Sequence, residues 1–183
     1  MQLSKLKNNG IAPKEDIKDI AYSELEKNLT ALKKAKRFTK IASDVYLEYI
    51  SRSKSEEKIK EVKDNAKTAS NLFDSLLEYA GFDFSEDKII NDTMFIQFKI
   101  NKLENKLAQF NQTKTFIVTA GRIYSTYIFD TGIIDYYNQV KNDFAETLNT
   151  IGIYKELYEN ELEELYDMLG IIDSEKQEKI EAR

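Results

Sequence analysis

The sequence contains no cysteine and no histidine. Without cysteine, the chain cannot form disulfides, cysteine–zinc sites, iron–sulfur clusters or a thiol nucleophile. Without histidine, it cannot form a Ser-His-Asp triad, an HExxH zinc site or the Glu-x-x-His pattern of di-iron bundles. A carboxylate-only metal site or a buried lysine base is the enzymatic alternative. No paired carboxylates fall on the apolar positions described below, so we expect no catalysis, no cofactor and no metal.

Residues that interrupt helices are also scarce, with one proline and six glycines in 183 residues. The hydrophobic share of 42% and charged share of 32% are typical of a folded, soluble chain. No run of about 18 apolar residues occurs, and the N-terminus has no signal-like segment, so membrane insertion and secretion are not expected. These absences predict one all-α domain over residues 1–183, in the cytoplasm or in a particle assembled there.

The clearest helical pattern lies between residues 89 and 128. Nine of twelve positions reached by steps of four and three are apolar or aromatic, which predicts a long helix packed lengthwise on others. The twelve positions are Ile89, Thr93, Ile96, Ile100, Leu103, Leu107, Phe110, Lys114, Ile117, Gly121, Tyr124 and Ile128. Two short strands over 94–100 and 116–119 are the less favoured alternative. A break at 111–113, giving two helices, stays open at this stage.

Two more helices are predicted before this region. Pro13 suits a first helical position, and helical spacing continues to about Ser51. Ser53 and Glu56 match a capping box, which would start a second helix that ends at Ala80 before Gly81. The short link predicts an antiparallel hairpin over 13–80, preceded by an N-terminal arm over 1–12.

A second hairpin is predicted over 86–169. Ser85 is its expected N-cap, and Asp130-Thr131-Gly132 marks the turn between its two helices. Gly152 weakens the last helix without breaking it, and Gly170 is expected to end it, which leaves a charged tail over 170–183. The predicted architecture is an elongated antiparallel four-helix bundle, or long helical hairpins with coiled-coil character.

Charge is unevenly divided along the chain. Residues 1–70 hold 16 Lys and Arg against 11 Asp and Glu, whereas residues 71–183 hold 11 against 21. Two outward stripes result, a basic one (Lys33, Lys34, Arg37 and Lys40) and an acidic one (Glu156, Glu159, Glu163 and Asp167). Both are most simply solvated faces; they could also dock a protein partner or a neighbouring copy. Nucleic-acid binding by the basic stripe is less favoured, because the isoelectric point is about 5.1 and stacking aromatics are few.

Aromatic residues gather around the 130–132 turn. The cluster consists of Arg122, Tyr124, Tyr127, Phe129, Tyr136 and Tyr137. Tyrosine and arginine dominate the hot spots of protein interfaces, although an aromatic cap on the bundle end explains the same residues. We interpret this cluster as a candidate contact surface.

These patterns favour a non-enzymatic helical protein that acts by protein–protein contact or self-association. It would be a structural or adaptor component of a larger assembly, such as a viral or phage particle, or an inhibitor of a host factor. The alternative is a nucleic-acid-binding accessory protein that uses Lys33, Lys34, Arg37 and Lys40.

Overall fold

The computed structural model describes the backbone of residues 14–53, 55–80 and 93–181, and the side chains of residues 26–53, 55–78 and 93–170. Four helices fill these ranges: α1 Lys14–Ser51, α2 Glu56–Ala80, α3 Thr93–Asp130 and α4 Ile134–Glu181. No strand occurs within them, so the all-α prediction is confirmed. The predicted arm over 1–12, the stop at Gly81 and the cap at Ser85 lie outside the described residues.

Helix α3 is continuous over 38 residues, or roughly 57 Å. The strand alternative and the break at 111–113 are therefore both wrong. Thr113 is fully buried on the inner face of the helix, while Lys114, which the regular steps placed in the seam, is exposed. Positions 113 and 114 stand three and four residues after Phe110, on either side of the stripe, and the uncharged Thr113 is the one that is buried; the regular positions resume at Ile117.

The link between α1 and α2 is capped by a different serine from the one predicted. The hydroxyl of Ser55 accepts a hydrogen bond from the backbone N–H of Lys58 at 3.4 Å. Ser53 instead donates its hydroxyl to the carbonyl of Ile50 at 2.7 Å, at the end of α1. The capping box predicted for Ser53 and Glu56 is therefore wrong, because the Ser53 side chain closes the preceding helix.

Helix α4 does not end at Gly170, as its glycine predicted, but continues to Glu181. Gly132 has a φ of 75°, and it is the one glycine in the described ranges with a positive φ. A glycine ends a helix when it takes up that left-handed conformation, which Gly170 does not. The good helix formers after Gly170, such as Glu and Lys, favour continuation.

Neighbouring helices in the sequence pack antiparallel. In α3 and α4, the Tyr166 hydroxyl donates to Glu104 at 2.6 Å, and the ring of Phe110 meets that of Tyr158 at 5.3 Å between centroids. Residues further along α3 thus contact residues earlier in α4, as expected for two antiparallel helices. The same reversal joins α2 to α3, through the pairs Ser75 with Lys106 and Asn65 with Gln112. The predicted antiparallel four-helix bundle is confirmed, while its coiled-coil character stays a prediction.

The four helices do not form a regular square. Helices α1 and α3 each contact all three others, whereas α2 and α4 make no contact with each other among the described residues. The pair α1–α3 therefore forms the middle of the bundle, with α2 and α4 on separate sides. The core holds Leu32, Leu72, Phe73, Leu76, Ile96, Ile100, Phe110, Ile117, Val140 and Ile151, among others.

Helix α1 crosses α3 instead of running beside it in register. Phe38 lies 5.9 Å from Tyr124, while Tyr46, two turns later, lies 6.1 Å from Phe116, measured between ring centroids. Both helices run antiparallel to α2 and therefore point the same way, and these two ring pairs lie on either side of the point where they cross. Their shared direction brings the end of α1 beside the end of α3, where the candidate site lies.

Candidate functional site at the turn between α3 and α4

A tight turn joins α3 to α4 and fixes the geometry of the aromatic cluster. The backbone N–H of Thr131 donates to the carbonyl of Ile128 at 3.1 Å, and that of Gly132 donates to Phe129 at 3.0 Å. The Thr131 hydroxyl donates to the Ile128 carbonyl as well, at 2.6 Å. The positive φ of Gly132 is the conformation that such a reversal requires. The predicted turn is therefore confirmed, and it holds residues 122–130 against residues 133–141.

Tyr124 belongs to the core and not to the surface. Its side chain is buried, and its hydroxyl lies 2.8 Å from that of Tyr136. Burial and the Tyr136 hydrogen bond raise the pKa of Tyr124 well above its usual range, while the charge of Arg37 acts in the opposite direction. Tyr124 is therefore not part of the contact surface that was predicted to include it. Its hydrogen bond instead fixes the position of the half-exposed Tyr136.

The remaining aromatic residues beside the turn form an exposed apolar patch. Phe129 is 64% exposed, and its ring packs edge-on against Tyr137 at 5.2 Å between centroids. Ile133 and Ile134 are 56% and 71% exposed beside them. We refer to Phe129, Ile133, Ile134, Tyr136 and Tyr137 as the apolar tip.

The two isoleucines of the apolar tip were missed in the sequence-based site. They stand at the start of the predicted fourth helix, where they look like the first residues of its buried face. Adjacent positions on a helix are separated by about 100°, so two consecutive isoleucines cannot both face a narrow core stripe. The adjacency of Ile133 and Ile134 in the sequence could therefore have predicted that at least one of them is exposed.

Tyr127 and Arg122 face a different side of the turn. They line a cleft of about 380 Å³ between the ends of α1 and α3. The lining, here called the tip cleft, consists of Val45, Glu48, Tyr49, Arg52, Arg122, Ile123, Thr126, Tyr127 and Asp130. Tyr49 and Arg52 were missed, because only the packing of the end of α1 beside the end of α3 brings them here, and no local spacing in the sequence records it.

Both charged stripes lie on exposed helix faces. Lys33, Lys34, Arg37 and Lys40 are all exposed on α1, and Glu156, Glu159, Glu163 and Asp167 are all exposed on α4. Lys34 reaches Glu146 of α4 at 3.9 Å, and Glu159 pairs with Lys155 of its own helix at 3.0 Å. In the part of the chain that the structure describes, no ion pair joins the two stripes directly.

Within the described ranges, no helix combines the length and apolarity needed to span a membrane, and no three acidic side chains gather as metal ligands would. Comparison of the chain with protein-family models, curated proteins and solved structures finds no match. Its function is therefore inferred from the surfaces described above.

Proposed function

We propose that this chain is a non-enzymatic helical protein that acts by protein–protein contact, as a structural or adaptor component of a larger assembly. The observation that carries this proposal is the group of exposed large side chains beside one turn. Phe129, Ile133, Ile134 and Tyr136 are between 40% and 71% exposed. Large contiguous apolar patches of this kind mark interaction surfaces.

The setting of the patch also suits a contact surface. The turn is held by backbone hydrogen bonds and by the Phe129–Tyr137 ring contact, so little conformational entropy is lost when a partner orders it. The tip cleft adjoins it and adds two arginines and two tyrosines. An apolar centre beside polar, arginine- and tyrosine-containing surface is the usual composition of an interface hot spot. That the assembly is a viral or phage particle, or that the partner is a host factor, stays a prediction.

Site-specific photo-crosslinking tests this proposal, because it captures whichever protein lies against the labelled residue. A photoreactive phenylalanine analogue at Phe129 or Ile134 should give a discrete protein adduct in cells that produce the chain. Matched control positions are Lys102 and Lys114, which are exposed on α3 away from the turn. Identical adducts at the control positions, or none at the tip, would contradict the proposal.

The alternative function is nucleic-acid binding through the basic stripe. It is compatible with the exposure of all four residues of that stripe, Lys33, Lys34, Arg37 and Lys40. The neighbouring acids weaken it, since Lys34 lies near Glu146 and the adjacent Lys36 pairs with Asp74. A filter-binding assay at low salt, where phosphate contacts are strongest, decides the matter. Retention of duplex or single-stranded nucleic acid, abolished by Lys33→Glu, would favour this alternative over the contact role.

A further inference from the structure

A basic groove lies between α1 and α2, and no residue of α4 lines it. Its volume is about 480 Å³, in the range of pockets that bind ligands or side chains of a partner. Leu47, Ala66, Phe73 and Leu77 supply apolar lining. The groove is also lined by four cationic residues, whereas Asp44 is the single acidic residue in its lining. The cations are Lys33, Lys36, Arg37 and Lys40, of which Lys36 pairs with Asp74 of α2.

An acidic ridge lies on the outer face of α4. Ile153 and Leu157 are 49% and 52% exposed there, although most aliphatic residues of this helix are at least partly buried. They stand four residues apart, which places them one above the other at about 6 Å along the helix. Glu156, Glu164 and Asp167 are exposed on the same side. The ridge thus combines two apolar side chains with a carboxylate border.

The groove and the ridge match in chemistry but cannot meet within one molecule. The central pair α1–α3 separates α2 from α4, and among the described residues these two outer helices make no contact. The basic groove opens between α1 and α2, whereas the ridge faces away from the core on α4. A second copy of the chain can supply the ridge that the groove of the first copy lacks.

We propose that the acidic ridge of one copy docks in the basic groove of a second copy. Ile153 and Leu157 would enter the apolar floor, in the manner of an amphipathic helix seated in a hydrophobic groove. Glu156, Glu164 and Asp167 would face the cationic rim, which gives the contact its orientation. Because the two surfaces differ, each dimer keeps one groove and one ridge unoccupied, and further copies add until a ring closes or a filament grows.

This contact uses no residue of the apolar tip. The proposal goes beyond the proposed function by naming a second copy as the occupant of a separate surface. Loss of tip-dependent crosslinks and loss of self-association are therefore distinguishable results, and each can occur without the other.

The test measures solution mass against concentration by light scattering and sedimentation velocity. The unmodified protein should exceed the monomer mass of 21.3 kDa as concentration rises, and less so at high salt. Lys33→Glu with Lys40→Glu should remove this association or shift it to roughly tenfold higher concentration, because like charges would then face each other. Ile153→Ser with Leu157→Ser should weaken the association in the same way, because it removes the apolar side chains of the ridge. Lys102→Glu with Lys114→Glu, an equal charge change on exposed positions of α3, should leave it unchanged.

Mixing the groove variant with the ridge variant gives the sharpest result. Each retains the surface that the other has lost, so an equimolar mixture should form a dimer of twice 21.3 kDa and no larger species. Circular dichroism and thermal unfolding establish that both variants fold; if the serine variant does not, Glu156→Gln with Glu164→Gln replaces it. A protein that is monomeric at every concentration overturns the proposal. Association that survives both variants, or a mixture that stays monomeric, overturns it as well.

Discussion

The ring of Phe144 occupies the space that a side chain on Gly121 would need. An ideal Cβ at residue 121 would lie 2.5 Å from Cε2 of that ring. Phe144 also stacks on Phe38 of α1, with 5.7 Å between ring centroids and 13° between ring planes. Three helices therefore meet at this glycine, and its missing side chain allows α4 to approach α3 closely.

We expect Gly121→Ala to destabilise the protein by about 1–3 kcal/mol, the usual cost of overpacking a core. This loss should outweigh the gain of up to about 1 kcal/mol in helix propensity that alanine brings. Gly152→Ala is the matched control, because nothing lies within 4 Å of a Cβ there and only the propensity gain applies. Urea denaturation measures both free energies of unfolding. Equal stabilisation by the two substitutions would show that Phe144 moves aside freely.

Thr113 offers a second stability test. Its hydroxyl is buried, and among the described residues it has no hydrogen-bond partner. We expect Thr113→Val to stabilise the protein by about 1 kcal/mol, because it removes an unsatisfied polar group at nearly constant shape. Thr147→Val is the control, since the hydroxyl of Thr147 donates to the Asp143 carbonyl at 2.7 Å and is equally buried. The explanation fails if Thr113→Val unfolds at lower denaturant concentration than the unmodified protein.

Buried tyrosines predict a loss of stability in alkaline solution. Burial raises the pKa of Tyr158 to about 12, above the ordinary value of 10.0. A raised pKa means that the folded state holds this proton more tightly than the unfolded state does. The stabilisation is therefore complete below about pH 10 and is lost as pH rises towards the folded value.

We expect Tyr158→Phe to flatten the decline in the free energy of unfolding between about pH 10 and pH 12. Tyr127→Phe, on a half-exposed ring, is the control for the lysines and other groups that titrate in the same interval. Urea titrations across this interval measure the slope. A decline of equal steepness in both variants would mean that Tyr158 ionises without cost in the folded protein.

The exposed tip should contribute little to folding. We expect Ile134→Ser to change the free energy of unfolding by no more than about 0.5 kcal/mol, as surface substitutions usually do. Ile128→Ser, six residues earlier and buried, should cost about 3 kcal/mol or more. Thermal and urea unfolding provide the comparison. A large loss from Ile134→Ser would indicate that the tip is part of the fold and would weaken its assignment as a contact surface.

Much of the fold was predictable because buried apolar spacing dominates each helix. Ile96, Ile100 and Leu103 were placed correctly in α3, and Gly132 was placed correctly in its turn. The error at Gly170 arose because glycine signals a stop only through its backbone conformation, which composition does not reveal. Thr113 replaced Lys114 in the core because both positions adjoin the buried stripe, and burying an unpaired lysine charge costs far more than burying a hydroxyl.

The candidate site was predictable only in part. Proximity in sequence identified the aromatic residues around the turn, but it could not separate the buried Tyr124 from the exposed Phe129. Tyr49 and Arg52, which line the tip cleft with residues of α3, come from a helix distant in the sequence, and only the packing of α1 beside α3 places them there. Such contacts leave no periodic signal in the sequence.

The separation of α2 from α4 has a consequence for how the molecule tolerates change. Substitutions on the outer faces of these two helices share no neighbour except through α1 and α3, so their effects on stability should add. As far as folding stability is concerned, each outer surface can therefore be altered without compensation on the other. Substitutions in α1 and α3 are not independent in this way, because these helices pack against both α2 and α4.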